Sequence, residues 1–282
     1  MNIFSNKKKG FTLIELLTVI SIIALSTTLV LMNLNSGREK ARISKSLEAS
    51  QTINNTIGAY AVGVWRFNEG TGNTVTDSSN YGNNGTWNGS GNHWTTTTVS
   101  QLGMAGQFNG TDDYVNMGNP NNGSLSFGTG DFTLSAWFYL NSLPGTWKSI
   151  IEKGGSGSAG YGMEISADNK ITCSIQGSGG TNQHVSGSVP KSGVWHYAAC
   201  VFDRDNKIFV YLDGKENTSA AYGSGNTNSV DNSVQFRIGE HTGWNFNGLI
   251  DEVRVFTQAL AVKEVEKNYA DALIKYDNFV KK

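Results

Sequence analysis

Residues 11–32 form an almost wholly apolar run with a single charge, Glu15, behind a basic leader that ends Lys7-Lys8-Lys9-Gly10. As a helix, about 22 residues span roughly 33 Å, enough to cross the hydrocarbon core of a bilayer. The run exceeds the roughly 7 to 15 apolar residues of a cleaved secretory signal, and no small-x-small cleavage pattern closes it. A plain anchor explains its length but not Glu15. A lone carboxylate inside an apolar helix costs about 2.5 to 3.5 kcal/mol or more until it finds a partner.

The string Lys7-Lys8-Lys9-Gly10-Phe11-Thr12-Leu13-Ile14-Glu15 resembles the class III signal of type IV pilins and pseudopilins. The resemblance covers roughly residues 1 to 60. It implies that a membrane prepilin peptidase cuts after Gly10, that Phe11 becomes the N-methylated first residue, and that Glu15 serves assembly. Chemistry agrees with that last role. A free α-amine titrates at about 8 and is cationic at neutral pH, so a carboxylate from one subunit neutralises the Phe11 amine of the next, and two costly charges become one pair.

Beyond Met32, Asn33-Leu34-Asn35-Ser36-Gly37 is rich in weak helix formers, and Arg38, Lys40, Arg42 and Lys45 form an interfacial basic cluster. Ile43, Leu47, Ile53, Ile57 and Tyr60 then recur at spacings that lay one apolar stripe along a helix. The expected organisation is a leader over 1–10, a transmembrane and assembly helix over 11–60, a β domain over 61–260 and a C-terminal helix over 261–282. Proline, which filament-forming pilins often place near residue 33, is absent there, so pilus and secretion-type pseudopilus both stay open.

From Val62 onward, Gly, Asn, Ser and Thr separate short aromatic and β-branched runs. Strands are expected at 63–67, 132–140, 149–152, 162–165, 171–175, 195–202, 207–212, 234–238 and 248–256. Ala167-Asp168-Asn169, Arg204-Asp205-Asn206 and Asp213-Gly214 read as hairpin turns. So many short strands predict a sandwich or jelly roll. Several motifs sharpen this in order: Trp65-Arg66-Phe67-Asn68-Glu69-Gly70, Asp77-Ser78-Ser79, Phe108-Asn109-Gly110, Phe132-Thr133-Leu134-Ser135-Ala136-Trp137, Trp195-His196-Tyr197, Tyr211-Leu212-Asp213-Gly214 and Asn247-Gly248-Leu249-Ile250-Asp251-Glu252-Val253. Together they resemble the bacterial laminin-G-like jelly roll of the concanavalin A-like lectin and glucanase fold. Asn68, Asn109 and Ala261 depart from its usual residues.

That resemblance implies binding of calcium, carbohydrate or protein, and fold alone does not choose among them. Asp77, Asn80 and Asn109 offer hard oxygen ligands of the kind calcium takes, and by the resemblance Asp251 reaches the same locus; the alternative is that Asp77 caps a turn. For a glycan, the loop tryptophans Trp87, Trp94, Trp147 and Trp244 are the stacking candidates, although each also suits a sandwich edge or a subunit interface. No catalytic residues are expected. Glu164 and Asp168 are the nearest approach to an acid pair, but the second falls in a turn. Cys173 and Cys200 sit in alternating strand patterns, and both a disulfide and two buried thiols fit. With 22 Lys and Arg against 23 Asp and Glu, the charge offers nothing to a nucleic acid.

The expected protein is therefore a pilin-like subunit, held in the cytoplasmic membrane before it assembles into a helical surface filament, with a lectin-like head for adhesion to a glycan or a surface protein. The alternatives are a minor pseudopilin of a type II secretion or DNA-uptake machine, and a glycan hydrolase.

Overall fold

The computed structural model describes residues 13–22, 58–95, 104–155 and 157–280, and the chain divides into two units, Met1–Thr56 and Ile57–Lys282. In the first unit, residues 13–22 form the helix α1. Its apolar side chains are bare on all sides: Leu13, Ile14, Leu16, Leu17, Val19, Ile20 and Ile22 are each at least 47% exposed. Among the described residues no helix is long and apolar enough to cross a membrane, and the rest of the expected 11–60 helix lies outside them.

The second unit holds sixteen described strands. In chain order these are β1 (Ala61–Trp65), β2 (Thr74–Val75), β3 (Gly85–Asn88), β4 (Trp94–Thr95), β5 (Ala105–Asn109), β6 (Tyr114–Gly118), β7 (Phe132–Leu140) and β8 (Lys148–Gly155). They continue as β9 (Ser158–Ile165), β10 (Ile171–Gln176), β11 (Gln183–Ser186), β12 (Trp195–Phe202), β13 (Lys207–Leu212), β14 (Lys215–Ala221), β15 (Phe236–Ile238) and β16 (Asn247–Phe256), after which comes the helix α2 (Val262–Val280). Two eight-stranded antiparallel sheets result. The first runs β14-β13-β12-β7-β16-β5-β4, with β1 paired to the far half of β16; the second runs β11-β10-β9-β8-β15-β6-β3-β2. The chain crosses repeatedly between them, so the two layers interlock as a β-sandwich.

Strand periodicity explains the core. Along β7, Phe132, Leu134, Ala136, Phe138 and Leu140 belong to the apolar layer between the sheets, while Trp137 points the other way and stacks on Tyr269 of α2 at 5.5 Å. From the second sheet come Tyr161, Met163 and Ile165 of β9 and Ile171 and Ile175 of β10. Trp65 stacks on Phe236 across this layer at 5.4 Å. The Asp213-Gly214 hairpin has positive φ at both positions, 51° and 76°, as a type I′ turn requires. Gly214 is doubly constrained, because a Cβ there would stand 2.7 Å from the Tyr269 ring.

Cys173 of β10 and Cys200 of β12 form a disulfide, with Cα atoms 5.6 Å apart. It joins the two sheets through the core rather than adjacent strands of one sheet. Closing a loop of 27 residues restricts the unfolded chain by about 3.5 kcal/mol in the chain-entropy account. The variant Cys173→Ala/Cys200→Ala should therefore melt about 7 to 14 °C below the parent by calorimetry. Equal melting temperatures would remove the disulfide from the list of what stabilises the sandwich.

Candidate functional site

The outer face of the second sheet carries a buried acid pair. Because β9 sends Tyr161, Met163 and Ile165 into the core, it sends Gly162 and Glu164 outward. In register, Glu152 of β8 and Ser174 of β10 stand on either side of Gly162. The glycine leaves a gap that Glu152 fills, for a Cβ at Gly162 would lie 2.1 Å from Glu152 Oε2 and 2.9 Å from Ser174 Oγ. Ser174 Oγ in turn donates to Glu164 Oε1 at 2.8 Å. Glu152 and Glu164 are 5% and 2% exposed. Two carboxylates in one dry place disfavour each other's charge. Burial first, and then the Glu164 charge and hydrogen bond, holds the Glu152 carboxyl well above the usual carboxylate range.

A turn between β15 and β16 roofs this pair. Trp244 N–H donates to the His241 carbonyl at 2.8 Å, Gly243 N–H to Glu240 Oε1 at 2.9 Å, and Ser149 N–H of β8 to the Trp244 carbonyl at 2.9 Å. His241 is 6% exposed and neither of its ring nitrogens has a hydrogen-bond partner. Burial pushes its pKa down and keeps the ring neutral. At the rim, half-buried Trp147 stacks on half-buried Trp244 at 5.3 Å and packs against His184 at 4.7 Å, and His184 Nδ1 lies 3.6 Å from Glu164 Oε2. Beneath them is a cavity of about 10 Å³, lined among others by Glu152, Glu164, Gln176, His241 and Trp244. That is the size of one water. Thr146 and Lys148, the chain neighbours of Trp147, line a wider cleft of about 250 Å³ together with Leu143 and Asn247.

The sequence candidates fare unequally. Gly10 and Phe11 lie outside the described residues, and Glu15 is exposed on α1. Trp147 and Trp244 come together. Trp87 and Trp94 do not join them, which corrects the expectation of four loop tryptophans. They are 3% and 7% exposed, sit on β3 and β4, and pack with Phe67 and Phe108 in the core. The oxygens proposed for calcium are engaged elsewhere. Asp77 Oδ1 accepts from Val64 N–H and Ser79 N–H, and Oδ2 from Ser79 O–H and Asn83 N–H, which uses the four acceptor positions of a carboxylate. Asn80 is exposed beside it. Asn109 Oδ1 accepts from the backbone of Thr111, Asp112 and Asp113 in its own turn, and Asp251 Oδ1 accepts from Glu252 N–H within β16. Among the described residues no three His, Cys, Asp or Glu side chains are arranged to hold a metal ion. This geometry does not fit a calcium site.

Glu152 and Gln176 were missed, whereas His241 stood among the ring residues of the Gly- and Asn-rich loops. Glu164 was weighed against Asp168, which is an exposed turn residue paired with Lys170 at 2.6 Å, whereas its true partner stands on the neighbouring strand. The available signal was Gly162, since a lone glycine inside a strand marks a close approach.

The acid pair has a consequence for stability. Above about 4.5 the unfolded Glu152 loses its proton while the folded one, raised by burial, keeps it. The fold then binds more protons than the unfolded chain, so this group's contribution falls as pH rises through that window. Melting temperature plotted against pH should therefore decline less steeply above about pH 4.5 for Glu152→Gln than for the parent; parallel curves would mean that burial does not hold the Glu152 proton.

Among solved structures the head is similar to the binding domain of Paraclostridial Mosquitocidal Protein 1, with a TM-score of 0.61 and 14% identity over 76% of this chain and 53% of that one. A botulinum neurotoxin type C structure, from a study of cell entry dependent on two ganglioside molecules, matches with a TM-score of 0.58 and 14% identity over 77% and 52%. Domain 4 of AbnA, a GH43 extracellular arabinanase from Geobacillus stearothermophilus in complex with arabinotriose, matches with a TM-score of 0.56 and 20% identity over 75% of this chain and 98% of that one. The chain thus spans about half the length of the toxin chains it matches, and these likenesses show the fold. Comparison with curated proteins returns no match. Residues 5–31 match the prokaryotic N-terminal methylation motif, the class III signal of type IV pilins. Residues 109–266, more than half of the chain, match the other family, and the chain belongs to the concanavalin A-like lectin/glucanases superfamily.

Proposed function

We propose that this chain is a pilin-like surface filament subunit whose head binds a glycan and serves adhesion. The observation that carries the reading is the half-exposed Trp147–Trp244 stack, which rims a polar, acid-lined cavity on the outer face of one sheet. Indole faces supply apolar area for the C–H face of a sugar ring, and Asn182, Gln176 and His184 stand nearby for hydroxyls. The AbnA domain in complex with arabinotriose and the ganglioside-dependent toxin, both of this fold, lend support by analogy. The head binds rather than cleaves. A glycosidase needs room for a scissile bond between two carboxyls about 5 to 9.5 Å apart, and here Glu152 and Glu164 are buried together against a space the size of one water.

At the other end, the methylation motif supports cutting after Gly10 by a prepilin peptidase, storage in the cytoplasmic membrane and polymerisation through a long helix over 11–60. The bare apolar surface of α1 is consistent with this, because such a surface needs lipid or neighbouring helices around it. Glu15 then neutralises the Phe11 amine of an adjacent subunit. The Glu15→Ala variant should leave the subunit in membranes and empty the sheared surface fraction; normal filaments from it would sink the assembly role.

For the head, sheared filaments applied to a glycan array should bind, and Trp244→Ala should weaken binding about tenfold or more, equivalent to about 1.4 kcal/mol, without lowering the melting temperature. By contrast, Trp87→Ala should cost about 3 to 5 kcal/mol of stability, because it empties a core position. Undiminished binding by both Trp147→Ala and Trp244→Ala would move the ligand elsewhere.

A further inference from the structure

The cavity beneath the tryptophans has an unusual set of walls. Glu152 Oε2, Glu164 Oε2 and Gln176 Oε1 are buried acceptors without a hydrogen-bond donor from another side chain or the backbone, and the neutral His241 ring adds an unpartnered nitrogen acceptor. All four residues line the same water-sized space, and the exposed Asn182 at its edge connects it to the surface. The arginine in register with these acids is diverted. Arg237 of β15 is in register with Glu152, yet its guanidinium pairs with Glu240 and lies 5.2 Å from the Tyr114 ring.

Resting on the glycan-binding reading above, we propose that this cavity is the subsite for a primary ammonium group, presented by an unacetylated amino sugar of the glycan. An ammonium carries three N–H donors and one positive charge, matching three or four convergent acceptors, two of them on acids. A sugar hydroxyl brings one donor and no charge. Size argues the same way. An ammonium is as large as a water and fits about 10 Å³, whereas an acetamido group, with three more heavy atoms, does not. The indole of Trp244, which lines the space, adds attraction for a desolvated cation. When the ammonium enters, its positive charge takes the place of the proton that burial keeps on Glu152, and that proton leaves to solvent.

The test compares a fully deacetylated glucosamine oligosaccharide with its N-acetylated counterpart, titrated at about pH 6 and equal ionic strength against the full chain in detergent, with a lysine-containing peptide as a third arm. The deacetylated oligosaccharide should bind about tenfold tighter or better than the acetylated one. Glu164→Gln and Glu152→Gln should each shrink that preference to about twofold while keeping a cooperative melt. Equal affinity of the parent for both oligosaccharides overturns the ammonium subsite and leaves the glycan head standing; this comparison needs no variant. Binding of the peptide but of neither sugar also overturns it, in favour of a protein ligand. No binding to either sugar or to any glycan on an array removes both readings together.

Discussion

The apolar layer between the two sheets governs the rest of the head. Side-chain direction alternates along every strand, so each residue committed to that layer commits its neighbour to the opposite face. Met163 and Ile165 inward place Glu164 outward; Cys173 and Ile175 inward place Ser174 outward. The two outer faces are then treated differently. On the first sheet, α2 covers the surface through Tyr269 on Trp137 and Tyr197. On the second, polar side chains remain, roofed by a turn and two tryptophans rather than by a packed helix. The face with a recess is therefore the one that can accept a ligand.

Sequence patterns revealed what was long and periodic. The strands expected at 132–140, 195–202 and 207–212 coincide with β7, β12 and β13, because each has enough alternation to register. The short strands β2 to β6 and the polar edge strand β14, Lys215–Ala221, were not legible. Two to five residues amid Asn and Gly carry too little period, and an edge strand exposed on one side needs little apolar character. The same weakness misplaced Trp87 and Trp94: Asn- and Gly-rich flanks look like loops, yet they enclose strand residues whose indoles complete the core. The disulfide was open for a related reason, since strand patterns say which face a cysteine takes but not which sheet it meets.

The candidate site was half legible. Trp147 and Trp244 could be named as ring residues outside strong strand patterns, but their contact depends on two loops about a hundred residues apart being pinned by the bond from Ser149 N–H to the Trp244 carbonyl. The acids were harder still. Glu152 and Glu164 lie on paired strands, with registers of Glu152 to Gly162 and Ser149 to Glu164, and an irregularity in β8 sets their offset. Such a shift leaves no mark in composition. The charge pair expected at the N-terminus differs in kind, because Glu15 and Phe11 are four residues apart in one string and the chemistry of their pairing is readable without a fold.

Buried polar groups elsewhere in the head show what a purely structural solution looks like. Fully buried Lys153 surrounds its ammonium with oxygens of Asn119, Val234 and Asn232, at 2.8 Å for the first two. Asp77 fills its carboxylate with four donors, and Asp113 holds the backbone N–H groups of Gly91 and Asn109. Each of these satisfies a loop and leaves little capacity for anything else. At Glu152 and Glu164 the opposite holds: two acids stand together with acceptor atoms turned into a space that no side chain fills. An apolar pair of similar volume would stabilise the sheet at least as well, because buried charge is expensive unless fully bonded. Acids kept at such a cost, beneath a rim of half-buried indoles, make more sense as a waiting half of an ion pair than as a fastening of the fold.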